Sequence, residues 1–86
     1  MVCGYVFIST DLGEALRVTE EVSKIENIKS ACAVTGVFDI IAHFNVEKVS
    51  DIGTVVADKV HSIDGVVETQ TVISVKCFGE SCEPCE

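Results

Sequence analysis

The sequence predicts an α+β fold of order βαββαβ, a four-stranded antiparallel sheet with two helices on one face. Three observations predict it. Val2 to Ser9 is apolar on both alternating parities, as a strand central in its sheet requires. Apolar residues recur at helical spacing in two stretches, Leu12 to Ile25 and Val49 to Ile63. The remaining runs, on either side of Gly36 and after Asp64-Gly65, are rich in β-branched residues and bounded by turn formers.

In the first strand Cys3, Tyr5 and Phe7 point one way, and Val2, Val6 and Ile8 the other. Gly4 leaves a gap that another backbone or side chain can approach. Asp11 is expected to cap the first helix, with Glu14 completing a capping-box-like pattern. Leu12, Ala15, Leu16, Thr19, Val22 and Ile25 form its apolar face; Glu14, Arg17, Glu20, Glu21 and Lys24 cover the other, and Asn27 ends it.

A hairpin follows, with Val34-Thr35-Gly36-Val37-Phe38-Asp39-Ile40-Ile41 at its tip. Gly36 takes positive φ at little cost and is the expected turning point. Before it, Ile28, Ser30, Cys32 and Val34 share a face opposite Lys29, Ala31, Ala33 and Thr35. After it, Ile40, Ala42, Phe44 and Val46 share a face opposite Asp39, Ile41, His43 and Asn45. The second helix is expected to start at Glu47 or Ser50 and to bury Val49, Ile52, Val56, Val60 and Ile63, with Asp64-Gly65 as its stop. In the last strand Val67, Thr69, Thr71, Ile73 and Val75 alternate with Glu68, Gln70, Val72 and Ser74. The domain is expected to cover residues 1–76, and residues 77–86 to form a cysteine-containing C-terminal tail.

This order is the ferredoxin-like arrangement. Right-handed crossovers place both helices on one side of the sheet. The other side, which includes one apolar face of the first strand, has no cover from its own chain and invites a second sheet. A homodimer through the sheets is therefore expected, and beyond it a ring of dimers. The chain's 86 residues suit one domain. A chain of this size buries only about 60% of its unfolded surface, so a partner subunit helps its stability.

Six basic against fourteen acidic residues give a net charge of −8, which argues against a nucleic-acid surface. Neither a signal peptide nor an apolar membrane span is legible, so a cytoplasmic protein with reduced thiols is expected. Cys77, Cys82 and Cys85 give C-x4-C-x2-C, the start of an iron–sulfur spacing. A cluster would need Cys3 or Cys32 as a fourth ligand, and zinc a ligand such as Glu83 or Glu86. A tail of reactive thiols, or a Cys82–Cys85 disulfide, outweighs metal; Cys3 and Cys32 are expected as small core residues, and no cofactor is expected. His43 shares a strand face with Asp39, and His61 follows Asp58 at i+3, a spacing that suits an exposed ion pair better than a metal. No nucleophile motif, phosphate loop or acid pair is present, so no enzymatic activity is expected.

The hairpin tip carries the functional expectation. A glycine with exposed amides followed by a carboxylate makes a small two-sided polar site. A free amino acid needs N–H donors for its carboxylate and an acid for its ammonium, and backbone amides near Gly36 and the Asp39 carboxylate supply these. The plainer reading is that Gly36 only turns the chain and Asp39 is a strand-end acid in water.

Residues 2–76 resemble the effector-binding (RAM) domain of the Lrp/AsnC transcription regulators. The resemblance rests on the βαββαβ order, on Thr35-Gly36-Val37-Phe38-Asp39 as the family's G-x-aromatic-D hairpin, and on Ile63-Asp64-Gly65-Val66 followed by Thr69 and Thr71. It implies dimers through the sheets, octamers or similar rings, and amino acids bound between dimers near the hairpin. Carried over by position, it puts Gly36, Val37 and Asp39 at the ligand, with Thr69 and Thr71 as neighbours. The family's usual helix-turn-helix does not precede the first strand, so a stand-alone regulatory module is expected, whose assembly state a partner regulator reads. The cysteine tail departs from the family pattern. Rival readings are an ACT-like amino-acid-binding domain using Asp11-Leu12-Gly13, a metal or redox module on the cysteine tail, and a small dimeric α+β barrel enzyme.

Overall fold

The structure is a computed structural model that describes residues 1–78. Its elements are β1 (Val2–Thr10), α1 (Ala15–Ser23), β2 (Ile28–Ala33), β3 (Ile40–Val46), α2 (Val49–Gly53), a π-helical continuation of α2 (Thr54–Val60), and β4 (Val66–Ile73). The sheet runs β2-β3-β1-β4 and every pairing is antiparallel. The fold is the expected one, with β1 in the interior of the sheet.

Antiparallel register fixes which residues share a face. Ile8 lies opposite Ile40 and Thr69, and Val6 opposite Ala42 and Thr71. These positions face the helices, where Val18 and Val22 of α1 and Val55 and Val60 of the second helix join Val6, Ile8, Ile28, Ile40, Ala42, Phe44 and Val46 in one core. Gly4 explains how tightly β4 closes on β1. A Cβ there would overlap the Val72 carbonyl oxygen and come within 2.9 Å of Ile73 Cα and Phe44 Cζ.

The other face carries Tyr5, Phe7, Ile41, His43, Gln70 and Val72, with Ser30 and Cys32 beside them on β2. Tyr5 and His43 stack with ring centroids 5.0 Å apart, and Phe7 packs on Phe38 at 5.4 Å. Among the described residues no helix covers this face, although Cys3 at its edge is buried. Tyr5 is 39% exposed and Val72 40%.

Several local expectations need correction. Asp11 does not cap α1: its N–H donates to Gly65 O (2.8 Å) and its carbonyl accepts Glu14 N–H (3.0 Å). This turn, with Gly13 at φ +82°, delays the helix to Ala15, and Glu14 precedes it without a side-chain cap bond. Leu12 and Leu16 are consequently exposed, and Val18 takes the inner position. The helix ends at Ser23; Asn27, at φ +78°, turns the chain into β2 and exchanges hydrogen bonds with the Asn45 backbone.

A register shift between Ile28 and Ser30 reverses the parity of β2. Ile28 therefore faces the core together with Ala31 and Ala33, while Ser30 and Cys32 turn to the open face. Cys32 is exposed rather than a core residue. Cys3 is buried and disulfide-bonded, so among the described residues the expectation of reduced thiols holds for Cys32 and Cys77, which are free, and not for Cys3.

The second helix begins at Val49, between the two expected starts, Glu47 and Ser50. Lys48 is the residue before it, and its N–H donates to Asp51 Oδ2 at 3.2 Å. The helix then widens into the π-helical stretch, closed by His61 N–H to Val56 O at 3.0 Å. A wider turn rotates less per residue, so Val55 and Val60, five apart, both point inward. Val49, expected inside, is exposed. No helix among the described residues is long and apolar enough to cross a membrane.

Candidate functional site

The connection between β2 and β3 is a six-residue loop, 34–39, rather than a tight turn at Gly36. Its base is closed by Val34 N–H to Asp39 O at 2.8 Å, beyond the last pair Ala33–Ile40. Gly36 sits at φ +139°, a conformation costly for any residue with a Cβ, and open space surrounds it. Val37 is almost wholly exposed. Phe38 turns back onto Phe7 and anchors the far side of the loop.

Asp39 is tied into the sheet. Its N–H donates to Ile8 O (2.9 Å), and its Oδ2 accepts the Thr10 N–H (2.8 Å) and the Thr10 hydroxyl (3.3 Å). The plainer sequence reading, a strand-end acid in water, therefore misses what one carboxylate oxygen does. Among the described residues no hydrogen bond uses Asp39 Oδ1 or the N–H groups of Thr35, Gly36, Val37 and Phe38. Gly36, Val37 and Asp39 thus share one loop with unclaimed donors beside a half-claimed carboxylate.

Thr69 and Thr71 do not join them within one chain. They lie on β4, separated from β3 by β1, with side chains on the helix face. Two strand spacings, roughly 10 Å, stand between. Thr69 is engaged elsewhere: its hydroxyl lies 2.6 Å from His61 Nε2. The pairing of His61 with Asp58 expected from helical spacing gives way to this contact across the turn, which sequence periodicity does not encode. His43 faces the open side of the sheet against Tyr5, four residues along the strand from Asp39.

A separate open cleft of about 300 Å³ lies where the entry to α1 meets the turn before β4, lined by Asp11, Leu12, Glu14, Arg17, Asp64 and Gly65. Arg17 donates Nε to Glu14 (2.7 Å), Nη1 to Glu21 (2.6 Å) and Nη2 to Asp64 O (2.6 Å). Hydrogen bonds to Glu14 and then Glu21 hold its guanidinium above the ordinary arginine range. Its cation is fully engaged, so a ligand carboxylate entering here meets mainly acids. Asp11 and Leu12 of the loop that the ACT-like reading uses line this cleft, and the Arg17 guanidinium beside them is already engaged.

Among the described residues no group of three or more His, Cys, Asp or Glu side chains could hold a metal ion. Cys77 is exposed, and Cys82 and Cys85 lie outside the described residues.

A family model described as the Lrp/AsnC ligand binding domain matches residues 3–83. No curated protein sequence matches the chain. Among solved structures, TTHA0845 from Thermus thermophilus superposes with a TM-score of 0.86 at 21% identity, over 93% of this chain and 100% of that one. AsnC of E. coli gives a TM-score of 0.85 at 16% identity, over 96% of this chain and 57% of its own. A transcriptional regulator of Neisseria meningitidis, solved as its L-Met complex, gives 0.81 at 20% identity, over 96% and 56%. At these identities the likeness is one of fold. The chain spans the whole of the first and little more than half of the other two.

Proposed function

The chain belongs to the Lrp/AsnC ligand binding domain family, and on that premise we propose that it is an effector-binding regulatory module whose ligand is a free amino acid. The observation that carries this reading is the β2–β3 loop, where the N–H groups of residues 35–38 are unclaimed beside Asp39. The amides receive the ligand carboxylate, and Asp39 Oδ1 receives its ammonium as a charge-assisted bond. The Neisseria regulator solved with L-Met supports the ligand class.

The open sheet face is covered by a second copy. Tyr5, Phe7, Ile41 and Val72 give it an apolar centre. Dimers then assemble further, and a neighbouring copy brings Thr69 and Thr71 toward the loop. Ligand bound between dimers favours one assembly state over another, and that difference in affinity is the regulatory output. A separate regulator protein in the cytoplasm reads it. No cofactor, membrane or direct nucleic-acid contact enters this account. The family is one of regulatory effector-binding domains rather than enzymes, and no catalytic role is assigned to any residue.

Native mass spectrometry with and without an equimolar mixture of the twenty amino acids tests the proposal. The expected result is an even-numbered oligomer that gains an amino-acid mass, and an Asp39→Asn variant that keeps the oligomer and loses the gain. A bare monomer that takes up nothing would end the proposal.

A further inference from the structure

We propose that Cys3 clasps the end of the chain to β1 through a disulfide to Cys82 or Cys85, and that this clasp makes the stability of the domain depend on redox state. The inference needs neither a ligand nor a second copy. Cys3 is disulfide-bonded and 1% exposed. Cys32 and Cys77 are free, so the bond closes on neither. The other cysteines of the chain are Cys82 and Cys85, both outside the described residues. Once one of them holds Cys3, a Cys82–Cys85 bond cannot form at the same time.

The fold brings the chain to the right place. Gly4 lies opposite Ile73, and the Ser74 N–H donates to Cys3 O at 2.8 Å, so β4 ends directly beside Cys3. From Ser74 it is eight residues to Cys82 and eleven to Cys85. At up to about 3.4 Å per residue, either stretch is long enough to turn back on Cys3.

The bond closes about 80 residues, almost the whole chain, into one covalent loop. A cross-link of that span restricts the unfolded chain and favours the folded state on the order of 1,000-fold. In a chain of 86 residues, whose core is small, this is a large share of the margin. The effect is most local at β4. It is an edge strand, paired with β1 alone among the described strands, and the clasp sits at the end where it leaves the sheet. Reduction by a dithiol undoes the clasp. One thiolate of the reductant attacks a sulfur of the bond, and its second thiol resolves the mixed disulfide. Two electrons and two protons pass to the protein, Cys3 and its partner become thiols, and the reductant closes to its own disulfide.

The test has two readings. Tandem mass spectrometry of the unreduced, digested protein should find the Cys3 peptide joined at Cys82 or Cys85, and any other state of Cys3 overturns the proposal. Thermal melts with and without dithiothreitol, at one protein concentration, should then differ by at least about 10 °C, with the reduced protein lower. Amide exchange should quicken at Ser74 before it does in β2 and β3. The Cys82→Ser/Cys85→Ser double variant leaves Cys3 packed in place. It should melt with the reduced wild type and ignore dithiothreitol, whereas Cys32→Ser/Cys77→Ser should keep the full shift. A smaller shift in the wild type, or a Cys82→Ser/Cys85→Ser variant as stable as the oxidised wild type, overturns the clasp.

Discussion

The Thr10 main-chain N–H lies 2.8 Å from Asp39 Oδ2, joining the end of β1 to the start of β3 through a side chain. The bond gives Asp39 a structural duty besides any ligand it meets, and the two are separable by substitution. Asp39→Ala leaves a strand-end donor unpartnered and should cost about 2 kcal/mol in urea unfolding. Asp39→Asn keeps an oxygen for Thr10 and should stay within about 1 kcal/mol of the wild type. Both remove the anion, so calorimetry should find amino-acid binding lost in both. Binding that survives in Asp39→Asn would count against an ammonium contact at this carboxylate.

The inner face of α1 offers a second test. Leu16 belongs to the apolar stripe that helical spacing suggests, but it is 77% exposed while Val18 is fully buried. Val18→Ala should destabilise the protein by about 2 kcal/mol through lost burial and a residual cavity. Leu16→Ala should shift stability by no more than about 0.5 kcal/mol. The second helix repeats the contrast: Val60→Ala should be costly and Val49→Ala nearly neutral, since Val60 is buried and Val49 is 61% exposed. Thermal melts of the four variants would decide it, and equal losses at Leu16 and Val18 would mean that α1 is rotated relative to this account.

These contrasts show where sequence stops being informative. Element order and the core faces of β1 and β3 were legible because alternation is a local signal with a period of two, whereas on β4 a register shift brings Val66 to the core and leaves Val67 exposed. The helix faces were not, because their rotation is set by distant contacts. The Asp11–Gly65 backbone bond and the Arg17–Asp64 bond pin the start of α1. The π-helical stretch shifts the inward positions of the second helix to Val55 and Val60. The register shift in β2 puts Ile28 and Cys32 on opposite faces without any glycine or proline to announce it. For the candidate site, Gly36, Val37 and Asp39 were readable as a hairpin tip. The Thr10 contact and the His61–Thr69 pair were not, since both join segments that only the folded sheet brings together.

Gly4 was legible as a place of close approach, and a third prediction follows from it. A methyl group at this position would meet the Val72 carbonyl and the Ile73 Cα, which are backbone and cannot swing aside. Gly4→Ala should push β4 away from β1 and cost about 2–3 kcal/mol, the upper range for overpacking. Faster amide exchange along Thr69–Ile73, with β2–β3 unaffected, would locate the damage. A variant as stable as the wild type would show that β4 sits further from β1.

The last prediction concerns the uncovered face of the sheet. Val72 lies opposite Tyr5 on β4 and is 40% exposed, so it contributes little to the core of its own chain. If a second copy covers this face, Val72 becomes buried there and a charge at that position must be desolvated without a partner. Val72→Lys should therefore keep the unfolding midpoint of the isolated chain close to that of the wild type when both are compared under dissociating dilution. It should raise the dimer dissociation constant by roughly 10- to 100-fold, since an unpaired interface charge costs on the order of 2 kcal/mol or more. Gln70, two residues before Val72, shares its face, while Thr71 between them points to the helices, so Thr71→Lys is the matching control. That substitution puts the charge on the helix side and should damage folding instead of association. Sedimentation of both variants separates the two faces. A dimer left intact by Val72→Lys would place the contact between copies elsewhere on the molecule.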